Sequence, residues 1–409
     1  MNLYNILAIV ILLAAIFSYV NFRFIKWPPT IGIMAMSLIG SLLIVIAGPF
    51  FPVLESFGKD LSSINFNILL MKVMLGFLLF AGGFHINASR LKKEGLPILT
   101  LAIFGTLFST FIVGGLAYYL FLYFHLPIPF IYCLLFGALI SPTDPIAVLG
   151  ILKEAKIPQS LELKIAGESL FNDGIAVVIF LTIAETAGTG AQNFSIGDVS
   201  ILFMKEAVGG VLYGLMLGYI GYLALKSIDN YKVEVLITIA IVMAGYNLAD
   251  LIHVSGPLAM VVAGIFTGNK AKAVALSEIT WDYLSKFWQL VEEILNAVLF
   301  LLLGVEMLVV KINSHILLIG VIMIVVVLLA RWLSVAFPVV LLRRWVKFEK
   351  HAIKILTWGG LRGAISVAMV LSMPANFYRD QFLTITYIIV VFSILVQGLT
   401  IGKLAKKLA

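Results

Sequence analysis

Long apolar runs separated by short polar stretches fill the chain from one end to the other. Each run has roughly 18 to 25 residues, enough for a helix to cross the ~30 Å hydrocarbon core of a bilayer. The alternating pattern of short barrel strands is absent. We therefore predict an all-α polytopic membrane protein in a lipid bilayer, with polar connectors at 50–63 and 187–199. The thirteen predicted spans are 3–22, 29–48, 64–84, 96–123, 128–152, 161–186, 200–226, 231–250, 255–269, 279–308, 312–342, 350–373 and 381–402.

Composition and charge agree with this pattern. Of the 409 residues, 62% are hydrophobic and 12% are charged. Alternate loops hold 21 of the 28 Lys and Arg residues, Lys164 among them, and the other loops hold three. The positive-inside rule then predicts the N-terminus outside and the C-terminus in the cytoplasm. It also explains the basic excess without nucleic acid, which we do not expect as a partner. We expect residues 1–409 to form one multi-pass protein of the plasma or inner membrane.

Two predicted spans contain residues that break helices. Span 5 carries Pro142 and Pro145, and span 12 carries the glycine-rich stretch 359–363. Proline removes a backbone donor and glycine lowers helix propensity, so both spans should unwind. Unwound backbone is tolerated at membrane depth where it lines a polar cavity. The two spans run in opposite directions, as in an inverted-topology repeat of about six spans whose discontinuous helices cross. Two unrelated kinks are the alternative.

Ionisable residues lie within these spans. The stretch 167–174 reads Gly-Glu-Ser-Leu-Phe-Asn-Asp-Gly, and Asp144 lies between the two prolines of span 5. Counted from the basic residues at the span ends, Asp144, Asp173 and Arg362 lie roughly 12–14 Å deep at 1.5 Å per residue. That depth is close to the middle of the hydrocarbon core, with Arg331 slightly further in. Charged groups are costly there, so each marks a candidate functional site.

The residue types indicate a cation site. On a helix, Glu168, Ser169, Asn172 and Asp173 form one polar arc. Carboxylate, hydroxyl, amide and unwound carbonyl oxygens suit a hard cation such as Na⁺. A carboxylate away from water also binds a proton more readily. Proton and cation can therefore compete for one carboxylate, and this competition is sufficient for exchange.

Glu168 calls for a different role. A third carboxylate in the same arc would repel Asp173 unless a cation neutralised it. The buried arginines are the available partners, so we favour a structural ion pair between Glu168 and either Arg331 or Arg362.

Three separated motifs resemble those of the monovalent cation/proton antiporters of the sodium/proton exchanger type. They are Ser-Pro-Thr-Asp-Pro at 141–145, the stretch at 167–174, and Gly-Gly-Leu-Arg-Gly-Ala at 359–364. The stretch His-Val-Ser-Gly-Pro at 253–257 also fits. One departure concerns the end of span 3, where many such exchangers have an acidic residue and this chain has Gly-Gly-Phe-His at 82–85.

The resemblance implies roles for the site residues. Asp173 would bind the ion and the proton, with Asp144 in support and with Ser169 and Thr143 as further Na⁺ ligands. Asn172 would take the place of a second aspartate found in electrogenic relatives, implying electroneutral exchange.

The resemblance also pairs Glu168 with Arg331, leaving Arg362 as the competitor, and it implies a homodimer. Core helices would then lie in 64–186 and 312–402, and interface helices in 1–48 and 200–308.

The resulting hypothesis is a secondary antiporter that exchanges cytoplasmic Na⁺, or Li⁺, for an external proton. Its partners would be monovalent cations, protons and lipid. We expect no enzymatic activity and no cofactor. A K⁺/H⁺ antiporter is the nearest alternative. A cation channel and a membrane sensor without transport are alternatives of a different class.

Overall fold

The computed structural model describes residues 3–62, 66–155, 157–188, 196–270, 277–310 and 313–408. Helices account for the regular structure of these residues, apart from one isolated bridge. The predicted starts of two spans at 64 and 312, and most of the predicted connector 187–199, lie outside the described residues. The helices are α1 (Leu3–Val20), α2 (Pro29–Ala47), α3 (Pro52–Ser62), α4 (Phe66–Ile68), α5 (Leu75–His85), α6 (Ala88–Thr100), α7 (Thr106–Tyr123), α8 (Phe130–Ile140), α9 (Ile146–Glu154), α10 (Gln159–Gly188), α11 (Ile196–Lys226), α12 (Tyr231–Leu251), α13 (Gly256–Lys270), α14 (Glu278–Val305), α15 (Ser314–Leu342), α16 (Ala352–Trp358), α17 (Ala364–Ser372), α18 (Arg379–Phe392) and α19 (Gly398–Leu408).

Short π-helical stretches join several of these helices into longer runs. Leu69–Met74 joins α4 to α5, Leu101–Gly105 joins α6 to α7, and Ser393–Gln397 joins α18 to α19. Within the described residues, nine helical runs are long and apolar enough to cross a membrane by length and composition. The all-helical, multi-span prediction is therefore confirmed, whereas thirteen spans, the sidedness and the inverted repeat remain predictions.

The connector predicted at 50–63 lies between two apolar helical runs, Pro29–Phe50 and Phe66–His85, and its segment Pro52–Ser62 forms helix α3. Proline suits the first turn of a helix, where its missing N–H leaves no bond unmade. Lys59 also pairs with Glu55 one turn earlier, at 2.5 Å between Nζ and Oε1. Local pairing of this kind stabilises a helix that is too polar to count as a span.

Both predicted helix breaks are present. Residues 141–145 separate α8 from α9, and residues 359–363 separate α16 from α17. Predicted spans 5 and 12 are therefore each two half-helices joined by extended backbone, as the proline pair and the glycine-rich stretch indicate.

The buried apolar side chains form two clusters. The smaller cluster joins α5 to α11–α14 and has Trp288, Phe80 and Phe84 at its centre. The larger cluster contains α2, α7–α10, the C-terminal part of α14 and the helices from α15 onward. Helix α5 packs closely on α13 because Gly264 and Gly268 lie directly against its backbone. The predicted core segment 64–186 thus includes one helix, α5, whose apolar contacts lie mainly with α11–α14.

Candidate functional site

The two helix breaks meet and pair through their backbones. The amide of Asp144 donates to the carbonyl oxygen of Leu361 at 2.7 Å, in a single antiparallel bridge. The amide of Arg362 donates to Oγ of Ser393 at 2.8 Å, from the π-helical stretch that precedes α19. These bonds satisfy backbone groups that would otherwise be unpaired away from water. Two half-helices from distant parts of the chain are therefore held at one crossing point.

Charged side chains match the helix ends at this crossing. Nη1 of Arg362 donates to the carbonyl oxygens of Ser141 and Pro142, which follow the C-terminus of α8. Oδ1 of Asp144 accepts from the amide of Ile146, in the first turn of α9, at 2.8 Å. A cation thus lies at the negative end of one half-helix and an anion at the positive end of the next.

A glycine allows the close approach of the two breaks. A Cβ atom on Gly363 would lie 2.7 Å from Cβ of Asp144 and 2.8 Å from its Oδ2. Real Cβ atoms do not come so close, so any side chain at 363 would displace Asp144.

Thr143 joins the first break to α10. Its amide donates to Oδ1 of Asn172 at 3.3 Å, and its Oγ1 accepts from Nδ2 of the same residue at 2.8 Å. The hydroxyls of Thr143 and Ser169 lie 3.0 Å apart. Both polar atoms of Asn172 are thus bound to Thr143, and all three side chains are buried. Asn172 fixes the unwound segment against the helix that carries Asp173.

Asp173 and Asp144 line one cavity of about 990 Å³. Asp173 is 8% exposed, and it shares this cavity with the carboxyl group of Asp144. Thr143 also lines the cavity, whereas Glu168 does not. Further lining residues come from the ends of α5, α6, α9 and α10 and from one face of α14: His85, Arg90, Lys153, Glu162, Glu292 and Asn296.

Glu168 points away from the cavity and binds Arg331 of α15. Its two carboxylate oxygens accept from Nη1 and Nη2 at 2.5 and 3.0 Å. Nη2 also donates to the carbonyl oxygen of Leu356 in α16, at 3.1 Å. Both side chains are almost fully buried. Of the two candidate arginines, Arg331 therefore contacts Glu168, whereas Arg362 contacts the α8 terminus. The polar residues of α10 therefore face two ways. Glu168 faces α15, whereas Ser169 and Asn172 face the break at 141–145.

The sequence interpretation of Lys164 as a loop charge is wrong. Its side chain is fully buried, with Nζ 3.3 Å from Glu94 of α6 and 3.2 Å from Glu349 of the loop before α16. Nζ also lies 5.3 Å from the centre of the Phe348 ring. The lysine lies near the start of α10, but the chain before α16 folds over it. Counting residues along one helix cannot reveal this burial.

Sequence reasoning also missed the residues that fix the second break. Oγ of Ser393 donates to Oε1 of Gln397 at 2.8 Å, and Nε2 of Gln397 donates to the carbonyl oxygen of Trp358 at 3.0 Å. The apolar pattern of 381–402 gives no sign of the π-helical stretch that turns these two side chains toward the break.

The arrangement offers the oxygen atoms of two carboxylates to a cavity whose lining mixes apolar and polar residues. Thr143 lines the same cavity, whereas Ser169 does not line it and is joined to it through the Thr143 hydroxyl. Such donors fit a hard monovalent cation, and the carboxylates also fit a proton. The guanidinium groups of Arg331 and Arg362 are bound to Glu168 and to backbone carbonyl oxygens, so neither forms an ion pair with Asp173.

Comparisons with known proteins agree along the whole chain. A family model described as sodium/hydrogen exchanger, transmembrane, matches residues 9–407. A protein named Na(+)/H(+) antiporter NhaP, from Pseudomonas aeruginosa, is 46% identical and covers 99% of this chain and 96% of its own length. Na(+)/H(+) antiporter NhaH from Halobacillus dabanensis is 34% identical and covers 94% of this chain and 93% of its own length. The fold resembles the sodium proton antiporter MjNhaP1 of Methanocaldococcus jannaschii, with a TM-score of 0.76 at 20% identity over 98% of this chain and 97% of that one.

Proposed function

Because this chain belongs to the sodium/hydrogen exchanger family, we propose that it is a secondary antiporter that exchanges Na⁺, or Li⁺, for protons. The single observation that carries the proposal is the placement of Asp173. This buried carboxylate lies beside the crossing of two broken helices and lines a cavity with Asp144. A carboxylate there can bind either ion.

The exchange step is a competition at Asp173. With the carboxylate ionised, Na⁺ binds between Asp173 and Asp144 and is completed by the oxygens of Ser169 and Thr143. A change of access then exposes the site to the other face, where a proton replaces the cation. Because one carboxylate carries either ion but not both, the two fluxes are coupled. Cytoplasmic Na⁺ leaves as an external proton enters.

Asn172 supports an electroneutral cycle. An amide adds no charge, and both of its polar atoms already bind Thr143. Glu168 and Arg331 contribute no net charge either, since each neutralises the other. One monovalent cation for one proton then moves no net charge across the membrane. The role of Asn172 in this proposal is to position the unwound segment rather than to release a proton.

Access changes by movement of the core helices against the interface helices, in a homodimer with a cytoplasmic C-terminus. The cavity supports this division, because its walls come partly from α9 and α10 of the predicted core segment 64–186 and partly from α14 of the predicted interface segment 200–308. An inverted-topology repeat would relate the inward and outward states.

The test uses everted membrane vesicles with an acidic interior and a fluorescent pH dye. Na⁺ or Li⁺ added outside should dequench the dye, and an imposed membrane potential should leave the rate unchanged. A response to K⁺ with none to Na⁺ would identify a K⁺/H⁺ antiporter, and current without proton movement would identify a channel.

Asp173→Asn should abolish the response. Asp282→Asn is the matched control, because it removes an exposed carboxylate from α14 that pairs with Lys286. Exchange at the wild-type rate in Asp173→Asn would refute competition at this residue.

A further inference from the structure

Helix α14 contributes several polar side chains to the cavity wall, and two of them, Glu292 and Asn296, have no described partner for an oxygen atom. Glu292 and Asn296 are four residues apart, so they lie one turn from each other on the same face. Both line the cavity that also contains Asp144 and Asp173. Neither residue belongs to the three motifs that carry the family resemblance, and the competition at Asp173 does not use them.

The amide oxygen of Asn296 lacks a partner. The residue is 5% exposed, and its Oδ1 is buried without a hydrogen bond among the described residues. A buried acceptor of this kind costs free energy unless a donor or a cation satisfies it. Because Asn296 lines the cavity, its acceptor lies where an ion from the cavity can reach it after a small movement of the amide.

The carboxylate of Glu292 also has no partner among the described residues. It is half-buried, and it forms no hydrogen bond or ion pair within the described part of the chain. The neighbouring Glu293 is more exposed and accepts a hydrogen bond from Nε2 of Gln289 at 3.0 Å. Lys153, a base that also lines the cavity, pairs with Glu162 at 3.4 Å. Glu292 is therefore the carboxylate of α14 that is free to bind an ion.

We propose that Glu292 and Asn296 form a second cation site on α14, where a monovalent cation is held by carboxylate and amide oxygens before it reaches Asp173. The inference rests on the proposed exchange function. Oxygen donors of these two types suit a hard cation. Carboxylates on both walls also raise the local cation concentration inside the cavity. A cation held at the second site has only a short distance to travel to reach Asp173.

The kinetic test compares Glu292→Gln with Glu293→Gln in proteoliposomes. The two variants lose the same charge from neighbouring positions that both line the cavity. Loss of a ligand should raise the apparent KM for Na⁺ about tenfold in Glu292→Gln, with little change in the maximal rate. Asn296→Ala should raise the KM in the same direction, and its effect should be much smaller when Glu292 is already replaced. Glu292→Asp should recover part of the lost affinity.

Ionic strength separates a binding site from a general field. A field effect weakens as choline chloride is added, because salt screens it. Equal KM changes in Glu292→Gln and Glu293→Gln that vanish together at high ionic strength would overturn the second site. A KM defect confined to Glu292→Gln and retained in salt supports it.

A binding measurement keeps this inference separate from the exchange function. Purified Asp173→Asn protein should retain weak ²²Na⁺ binding, and the additional Glu292→Gln change should remove it. Absence of ²²Na⁺ binding in Asp173→Asn across the range up to the wild-type KM would contradict the second site. Failure of the wild-type protein to exchange Na⁺ for protons in vesicles would instead contradict the proposed function.

Discussion

The ion pair between Glu168 and Arg331 concentrates two charges in the interior of the helix bundle. Replacing Glu168 with Gln leaves the guanidinium without its counter-charge, and breaking a buried pair in this way costs about 3–5 kcal/mol. We expect both Glu168→Gln and Arg331→Met to lower the unfolding temperature in detergent, as measured by differential scanning fluorimetry. The double variant should be less destabilised than the sum of the single changes, because neither charge is then left alone.

Glu55→Gln is the matched control, since it breaks a carboxylate–cation pair that is largely exposed. Surface pairs of this kind contribute about 0–1 kcal/mol. Equal destabilisation by the buried and the exposed changes would show that the Glu168–Arg331 pair contributes no more to stability than an exposed ion pair does.

Glu349 gives a prediction for pH. Burial raises the pKa of its carboxyl group, but hydrogen bonds from Ser160 and the backbone, together with the charge and hydrogen bond of Lys164, bring the pKa below its usual value of 4.5. A carboxyl group with a lowered pKa stabilises the fold above the unfolded-state value and loses this effect as the pH falls through the folded-state value. Glu349→Gln should therefore be less stable than wild type at pH 7, and the difference should shrink below about pH 4.5.

The measurement is the unfolding temperature of both proteins across pH 3.5 to 7.5 in one detergent. Glu278→Gln, which removes an acid from the first turn of α14, serves as a second carboxyl variant for comparison. A stability difference that stays constant down to the lowest pH would contradict the role given to Glu349.

At the scale of elements, the crossing of the broken helices depends on the space left by Gly363. An added methyl group would overlap with Asp144, and small displacements of a reacting group can cost orders of magnitude in rate. Gly363→Ala should lower the exchange rate at least about tenfold, with a loss of stability of about 1–3 kcal/mol from overpacking. Gly150→Ala in α9 is the control, because a Cβ there meets nothing within 4 Å. Similar rates in the two variants would exclude the steric argument.

The helix breaks could be predicted from sequence because their cause is local. Pro142 and Pro145 cannot continue a helix, and the glycines at 359–363 disfavour one. The bridge between Asp144 and Leu361 is different, since it depends on which two of many breaks approach each other in space. The burial of Lys164 is likewise non-local, because it requires the loop that carries Glu349 to fold over α10.

The candidate site also has features that the sequence predicts and features that depend on the folded structure. The identity of Asp173, Asp144 and Glu168 follows from the cost of carboxylates in apolar segments. Asp173 faces the cavity and Glu168 faces Arg331 because of the way α10 is oriented about its own axis. The sequence does not define this orientation. Glu292 and Asn296 lie near the middle of the predicted span 279–308 and outside the three motifs, and only the structure shows that both line the cavity.

At the scale of the whole molecule, the cavity extends from the crossing point to charged helix ends. Its lining includes Arg90, Lys153 and Glu162, which lie in the basic regions 90–93 and 153–164 that the charge count places inside. By the positive-inside rule we predict that these helix ends lie on the cytoplasmic side. The structure should therefore correspond to a state in which Asp173 communicates with the cytoplasm.

Thiol labelling tests this sidedness on the intact protein. The native Cys133 is fully buried, so the wild type should not react with a membrane-impermeant maleimide. Ser285→Cys places a thiol on the cavity wall and should react in everted vesicles but not in right-side-out ones. Asn376→Cys, in the exposed loop between α17 and α18, should show the opposite pattern. Labelling of both positions from the outside would mean that the cavity opens to the exterior and that Asp173 faces the proton-loading side in this structure. Inverted labelling of the pair would contradict the N-out, C-in arrangement, because the loop that holds Asn376 would then lie in the cytoplasm.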